Sequence, residues 1–424
     1  MRTSSRNRWA VAAAVTVALG AAVTGCGDDG ETSTGTGTGE SSATTTGAPV
    51  STLPPPTGDP IVLAMITQES GPAALPDSRL AAEAAVAYVN TELGGAGGRP
   101  LELQTCVTDG SPEQSSACAN QLLEADPVAF VGETELGTAG SVPIIEQAGV
   151  PFVGAAGITP ELVVSESAFA FGLDAVADWA GWTKYLVTDG GATTINIINI
   201  DIPVAPVFEA VIRSVAEANG AEVGEVVSIP LSATDASSQM AAAAAGNPDV
   251  IMSTTSAQLC VPVAQAHETI APQSKLFLPG ICASPDTIGA AGSSMEGVLV
   301  GMGSLNPYNL DEREVATYRR ALDTYGEDVP LSQFAGNAFT AVMNLKAVVD
   351  GLGAAEVTPD AITDALRAGV DVPSFMTDTA TCDLGVVGSP ITCVRGRRVF
   401  EVSGTELTDL SDDWYDGTTE ARLG

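Results

Sequence analysis

Residues Pro127–Leu162, PVAFVGETELGTAGSVPIIEQAGVPFVGAAGITPEL, leave few choices of fold. Two short apolar runs, Val128–Val131 and Pro151–Val153, are bounded by glycine and read as buried strands. Thr138–Gln147 between them reads as a helix, with Val142, Ile144, Ile145 and the following Ala148 on its inner side. A crossover this short makes the two strands parallel neighbours. The loops that follow them, Gly132–Gly137 and Gly154–Thr159, then leave the same C-terminal edge of one sheet. Open α/β folds hold ligands at that edge, where the amides of a helix start face the crevice.

The same alternation runs through the chain. Ile61–Ile66 is an apolar strand, followed by the turn-rich Thr67–Pro72, an Ala-rich helix near Arg79–Glu92 and a strand at Leu101–Cys106. Ser111-Pro112 opens a helix to about Leu123 by the usual cap chemistry. After Phe169–Leu173 the pattern begins again: a helix over Ala175–Val187, then the β-branched strand TINIINI at Thr194–Ile200. Helices over Val204–Asn219, Ala236–Ala245 and Ala257–Thr269 alternate with strands Glu222–Ile229, Val250–Ser253, Lys275–Leu278 and Val298–Met302. Helices over Asp311–Tyr325, Leu331–Val349 and Pro359–Arg367 follow. Cys382–Val402 is expected to be a hairpin, with Gly385 and Gly388 in its turn. The order predicts the α/β class, with parallel-rich sheets covered by helices on both faces, and 424 residues suit two lobes.

The first sixty residues stand apart. Arg2, Arg6 and Arg8 precede the apolar run Trp9–Val23, which suits a secretory leader and is too short for a transmembrane helix. It closes on Val23-Thr24-Gly25-Cys26, a sequence similar to the bacterial lipobox, which implies cleavage before Cys26 and lipid on its sulfur. Acyl chains there would hold the protein at a membrane, each buried methylene contributing about 0.8 kcal/mol. Residues 26–59 are mostly Gly, Ser, Thr and Pro and read as a disordered tether ending in Pro54-Pro55-Pro56. The folded part is thereby placed outside the cytoplasmic membrane, anchored to its outer face.

A net charge of −35 and the lack of a basic stripe exclude nucleic acid as a partner. With Cys26 set aside, Cys106, Cys118, Cys260, Cys282, Cys382 and Cys393 are an even set in an exported chain. Fifteen pairings are open. The neighbour set Cys106–Cys118, Cys260–Cys282 and Cys382–Cys393 is the simplest, and each bridge would contribute roughly 3 kcal/mol. Zinc is disfavoured because no C-x-x-C occurs and His267 is the single histidine; no metal or cofactor is expected.

Ser70-Gly71-Pro72, Ala148-Gly149-Val150-Pro151 and Thr159-Pro160-Glu161-Leu162, taken with the lipobox and the order of elements, resemble the leucine/isoleucine/valine-binding proteins of ABC importers. The likeness covers about residues 60–420 and implies a type I periplasmic-binding fold of two Rossmann-like lobes joined by a hinge. It implies one lobe at 60–178 plus 304–372 and the other at 179–303 plus 373–424. A monomer is implied, handing a small amino-acid-like molecule, amide or organic acid to an ABC permease. The alternative is a sensory or ligand-presenting lipoprotein of the same fold, not coupled to transport.

The resemblance carries the site over in part. It implies ligand contacts in the loop Gln68, Glu69 and Ser70 and at Ser256. The carboxylate cradle would be Glu135, Leu136, Gly137 and Thr138 with Ala156, Gly157 and Ile158, but Ile158 stands where the family has a hydroxyl residue. Ile281 stands where an acid commonly meets the ammonium, and Ile202 lies in a loop that lacks the family's aromatic residue. Phe334, with Asn337 and Tyr308, falls where cleft-facing side chains occur. Glu69, Glu133 and Glu135 offer carboxylates to a cation, although a solvated rim is the favoured role for each. An unpaired ammonium or carboxylate in such a pocket would cost several kcal/mol, so the expected ligand is less charged or more apolar than a plain α-amino acid. Catalysis has little to work with: there is no G-x-S-x-G elbow, P-loop or H-E-x-x-H. His267, in AQAHET, reads as a surface residue.

Overall fold

A computed structural model describes residues 53–423 apart from 72, 73, 133, 354, 355, 369–371, 373 and 387. The leader, Cys26, most of the tether and Glu133 lie outside the described residues. The end of the tether is docked: the Thr57 amide donates to the Gly98 carbonyl at 2.9 Å.

The first sheet is built from β1 (Ile61–Gln68), β2 (Leu101–Thr108), β3 (Ala129–Val131), β4 (Phe152–Val153) and β5 (Ala168–Phe169), all parallel, in the order β2-β1-β3-β4-β5. Its helices are α1 (Pro76–Glu92), α2 (Pro112–Leu123), α3 (Thr138–Gln147) and the short α4 (Pro160–Val163). Ser111 caps α2 by accepting from the Gln114 amide at 3.4 Å, as the Ser-Pro pair implies. Phe130 pairs with Phe152 and Val131 with Val153, so the unit at Pro127–Leu162 forms as expected.

The second sheet has the order β12-β11-β10-β9-β8-β6-β7. Its strands are β6 (Thr194–Ile200), β7 (Glu222–Ile229), β8 (Val250–Thr254), β9 (Lys275–Pro279), β10 (Leu299–Met302), β11 (Arg398–Ser403) and β12 (Glu406–Asp409). The strands from β6 to β10 are parallel, while β11 and β12 add antiparallel at the β10 edge. Helices α5 (Ala175–Thr188) and α6 (Ala205–Ala218) pack together, as do α7 (Ser237–Ala243), α8 (Ala257–Ile270) and α9 (Pro285–Ala291). The chain then returns: α10 (Arg313–Tyr325), α11 (Gln333–Leu352) and α12 (Pro359–Arg367) cover one face of the first sheet.

The hairpin expected over Cys382–Val402 is instead β11–β12, where Val402 pairs with Leu407 and Ser403 with Glu406 around Gly404-Thr405. Gly404 has φ +61°, which a two-residue hairpin turn needs. Met376, Ala380, Cys382, Cys393 and Val394 are buried in the core of the first sheet, whereas Val399, Phe400 and Val402 are buried in that of the second. All three disulfides pair sequence neighbours, Cys106–Cys118, Cys260–Cys282 and Cys382–Cys393. His267 is half-buried rather than superficial, its Nε2 lying 2.8 Å from the Ser274 carbonyl. Burial holds its pKa below the usual histidine range.

Candidate ligand site between the two sheets

Each sheet reverses its strand order once, between β1 and β3 in the first and between β6 and β8 in the second. A crevice opens at the carboxyl ends of the strands at such a switch point. The two switch points share one cavity of about 200 Å³. Gln68, Glu135 and Leu136 come to it from β1 and the loop after β3. Ile200, Ile202, Thr254 and Ser256 come from the ends of β6 and β8. Of the residues expected at the site, Gln68, Glu135, Leu136, Ile158, Ile202, Ser256, Ile281 and Phe334 line the cavity.

The turns that launch the first-sheet loops are fixed from behind. Gly132 has φ +61° and a Cβ there would stand 3.0 Å from Ala338 Cα. Gly154 has φ +75°, and its Cβ would collide with Ala341. Both turns thus press on α11 and send Leu136 and Ile158 forward.

The remaining expected residues have other partners. Glu69 is held by Arg79, with Oε1 2.5 Å from Nε and Oε2 3.2 Å from Nη2. Ser70 donates to the Thr108 carbonyl at 3.5 Å. Thr138 donates to Thr159 Oγ1 at 2.7 Å, and Glu161 Oε2 lies 3.2 Å away. Gly137 precedes α3 outside the lining, and Ala156 is buried behind it. The Gly157 amide donates to Leu173 O at 3.0 Å, the Ile158 amide to Ala156 O at 2.7 Å, and the Leu136 amide to Gln68 Oε1 at 3.1 Å. Asn337 points back to the Gly154 carbonyl at 2.9 Å, and the Tyr308 hydroxyl donates to Leu331 O at 3.0 Å. Glu135 is 1% exposed; it accepts from Thr108 at 3.0 Å, from Ser141 at 3.1 Å and from Ser115. That carboxylate organises the loop rather than awaiting a cation.

An aromatic wall not expected from the sequence completes the cavity. Trp179 and Trp182 come from α5 and Phe208 from α6, with Trp179 edge-on to Trp182 at 5.1 Å and tilted to Phe208 at 5.5 Å. They supply the aromatic surface that the loop Asp201–Val204 lacks. The available signal was the i, i+3 spacing of two tryptophans beside Asp178 on a helix placed correctly from the sequence. Asp178 also lines the cavity. It is paired with Arg397, which is fully buried and donates Nη1 to the carbonyls of Val394 at 3.0 Å and Gly396 at 2.8 Å. Burial pushes the Asp178 carboxyl up to about 6, against the opposing pull of Arg397 and with help from Asp174.

A family model described as periplasmic binding protein matches residues 60–400. The chain belongs to the periplasmic binding protein family. The expected resemblance to the leucine/isoleucine/valine-binding proteins and the type I fold are both found. The periplasmic binding protein described here is similar in structure to a fatty acid ABC transporter substrate-binding protein from Thermomonospora curvata (TM-score 0.72, 15% identity, 87% of this chain and 96% of that one). It is also similar to a solute-binding protein from Rhodopseudomonas palustris HaA2 in complex with p-hydroxybenzoic acid (TM-score 0.70, 19% identity, 85% and 98%). A third is a leucine-binding protein from Thermotoga maritima (TM-score 0.66, 15% identity, 84% and 99%). At these identities the likeness is one of fold. No curated protein matches the sequence. Periplasmic binding proteins are extracytoplasmic solute binders as a family, and no helix among the described residues is long and apolar enough to cross a membrane.

Proposed function

We propose that this periplasmic binding protein traps a small, mostly apolar solute between its two sheets and delivers it to an ABC permease, without catalysing a reaction. The observation that carries the reading is the shared cavity, walled by Trp179, Trp182 and Phe208 on one side and by Leu136, Ile158 and Phe334 on the other. A molecule there touches both lobes only when they are closed, so binding shifts an open–closed equilibrium. A plain α-amino acid suits the site poorly. The amides of Leu136, Gly157 and Ile158 already donate within the chain, and Ile281 replaces the acid that would meet an ammonium.

Packing supports lobes divided at about residue 175, near 303 and at 395–397, the last some twenty residues later than the resemblance implies. Lipid on Cys26 would tether the pair to the outer face of the membrane, which mass spectrometry of the chain from its native membrane would test. The test of function is titration calorimetry with leucine, isoleucine, valine and a panel of aromatic and branched apolar compounds. Binding confined to the apolar panel is expected, and sub-micromolar binding of any of the three amino acids would overturn the exclusion.

A further inference from the structure

The charges around the cavity bear on the polarity of its guest. The described residues lining it include no Lys, Arg or His and two acids, Glu135 from the first sheet and Asp178 from α5. Glu135 accepts from three hydroxyls of its own lobe. Asp178 Oδ1 accepts from Arg397 Nε, while its Oδ2 accepts the Asp174 amide at a long 3.3 Å. A carboxylate oxygen accepts two donors, so Oδ2 has capacity for one more.

We infer that Asp178 reads the solute's polar group, and that this group is an uncharged hydrogen-bond donor, a hydroxyl or amide N–H, on an apolar body. The inference rests on the solute-binding reading above. An anionic guest would enter an apolar chamber beside the Glu135 carboxylate with no free cation at the described wall, since Arg397 is completely buried behind Asp178 and paired with it. An ammonium fares little better. The charge of Asp178 is already matched by Arg397, and the Glu135 oxygens are engaged by hydroxyls, so the cation would lose its water without gaining a counter-ion of its own. A neutral donor meets Oδ2 at a small desolvation cost and leaves its apolar body against Trp179 and Phe208. A cavity of about 200 Å³ suits a guest of on the order of ten non-hydrogen atoms, because benzene fills a dry cavity of roughly 150 Å³.

The test is calorimetry on the full-length chain with matched sets: benzyl alcohol, benzoate, benzylamine and toluene, then 2-phenylethanol, phenylacetate, phenethylamine and ethylbenzene. Each alcohol is expected to bind at least about tenfold tighter than its acid, amine or hydrocarbon. A carboxylate or amine that binds as tightly as its alcohol overturns the inference. Asp178→Asn is expected to shrink the alcohol-over-carboxylate ratio about tenfold or more, whereas a merely structural Asp178 would leave that ratio unchanged. Should the variant fail to fold, the matched sets on the unaltered chain still decide. Failure of every compound to bind overturns the solute-binding reading itself, a result distinct from binding in the wrong rank order.

Discussion

Asp178 on α5 and Arg397 just before β11 meet as a buried ion pair although 219 residues separate them. The pair sits where the chain crosses between the sheets: a Cβ on Gly303 would collide with the Gly172 carbonyl and stand 3.2 Å from Arg397 Nε. One acid therefore belongs both to the cavity wall and to the junction of the crossings. Removing it strands a guanidinium that cannot deprotonate. Asp178→Ala is expected to cost about 3–5 kcal/mol in urea unfolding. Arg397→Met should cost less, because Asp178 can then take up a proton.

The same carboxyl gives a pH signature. Its pKa is about 6 in the folded chain against an ordinary value of 3.8. The native state thus holds the extra proton between these values, and the stability it contributes is lost as pH rises through about 6. Acidifying from pH 7 to pH 5 should raise the melting temperature of the unaltered protein relative to Asp178→Asn. A constant difference between the two across that range would contradict the assignment.

The glycines behind the site differ in how much room they leave. Gly154→Ala forces a Cβ into Ala341 at φ +75°, whereas at Gly132 the nearest atom is 3.0 Å away at φ +61°. Strain and collision add in the first case. Gly154→Ala should lose at least about 3 kcal/mol and Gly132→Ala about 1–2, as read from denaturant midpoints.

Local chemistry was legible in the sequence, and distant pairing was not. TINIINI gave β6 at its observed bounds, and glycine-flanked apolar runs around Thr138–Gln147 gave a correct parallel unit. Ile158 followed because it lies in a loop at a strand end, which marks the crevice, and Ile281 followed from the family resemblance. Glu69 was legible only as a carboxylate, since nothing local shows that Arg79, one helical turn into α1, would claim it. The C-terminal hairpin was misplaced because Gly385, Gly388 and a short disulfide loop imitate a turn, while the true turn at Gly404 carries a weaker signal. Asp178 and Trp179 were hidden for a further reason: they lie at the start of α5, and only the packing of α5 under the crossings turns them toward the cavity.

The Cys260–Cys282 bridge ties the first turn of α8 to the segment after β9, close behind Ser256 and Ile281 in the cavity wall. Cys106–Cys118 ties β2 to α2, and none of its residues lines the cavity. Both bridges close short loops, so replacing either pair by alanine should cost about 3 kcal/mol. Ligand affinity should separate them: loss at least about tenfold without Cys260–Cys282, and little change without Cys106–Cys118. Calorimetry on both variants with one bound alcohol decides whether the bridge shapes the site or only the fold.

Two aromatic residues of the wall should also part company. Trp182 is 1% exposed, its ring presses on Gly301 and Phe277, and its Nε1 lies 3.5 Å from the Met302 carbonyl. It fastens α5 to the second sheet, so Trp182→Ala should destabilise by about 3–5 kcal/mol through the void it leaves. Phe208 lies at the cavity on α6, its ring tilted against Trp179 with centroids 5.5 Å apart. Phe208→Leu should therefore spare most of the stability, at about 1 kcal/mol, because it keeps much of the buried volume. It removes an aromatic face from the guest, however, and affinity for benzenoid alcohols should fall several-fold while affinity for branched aliphatic alcohols of equal size holds. Equal losses for the two classes would mean that Phe208 only fills space.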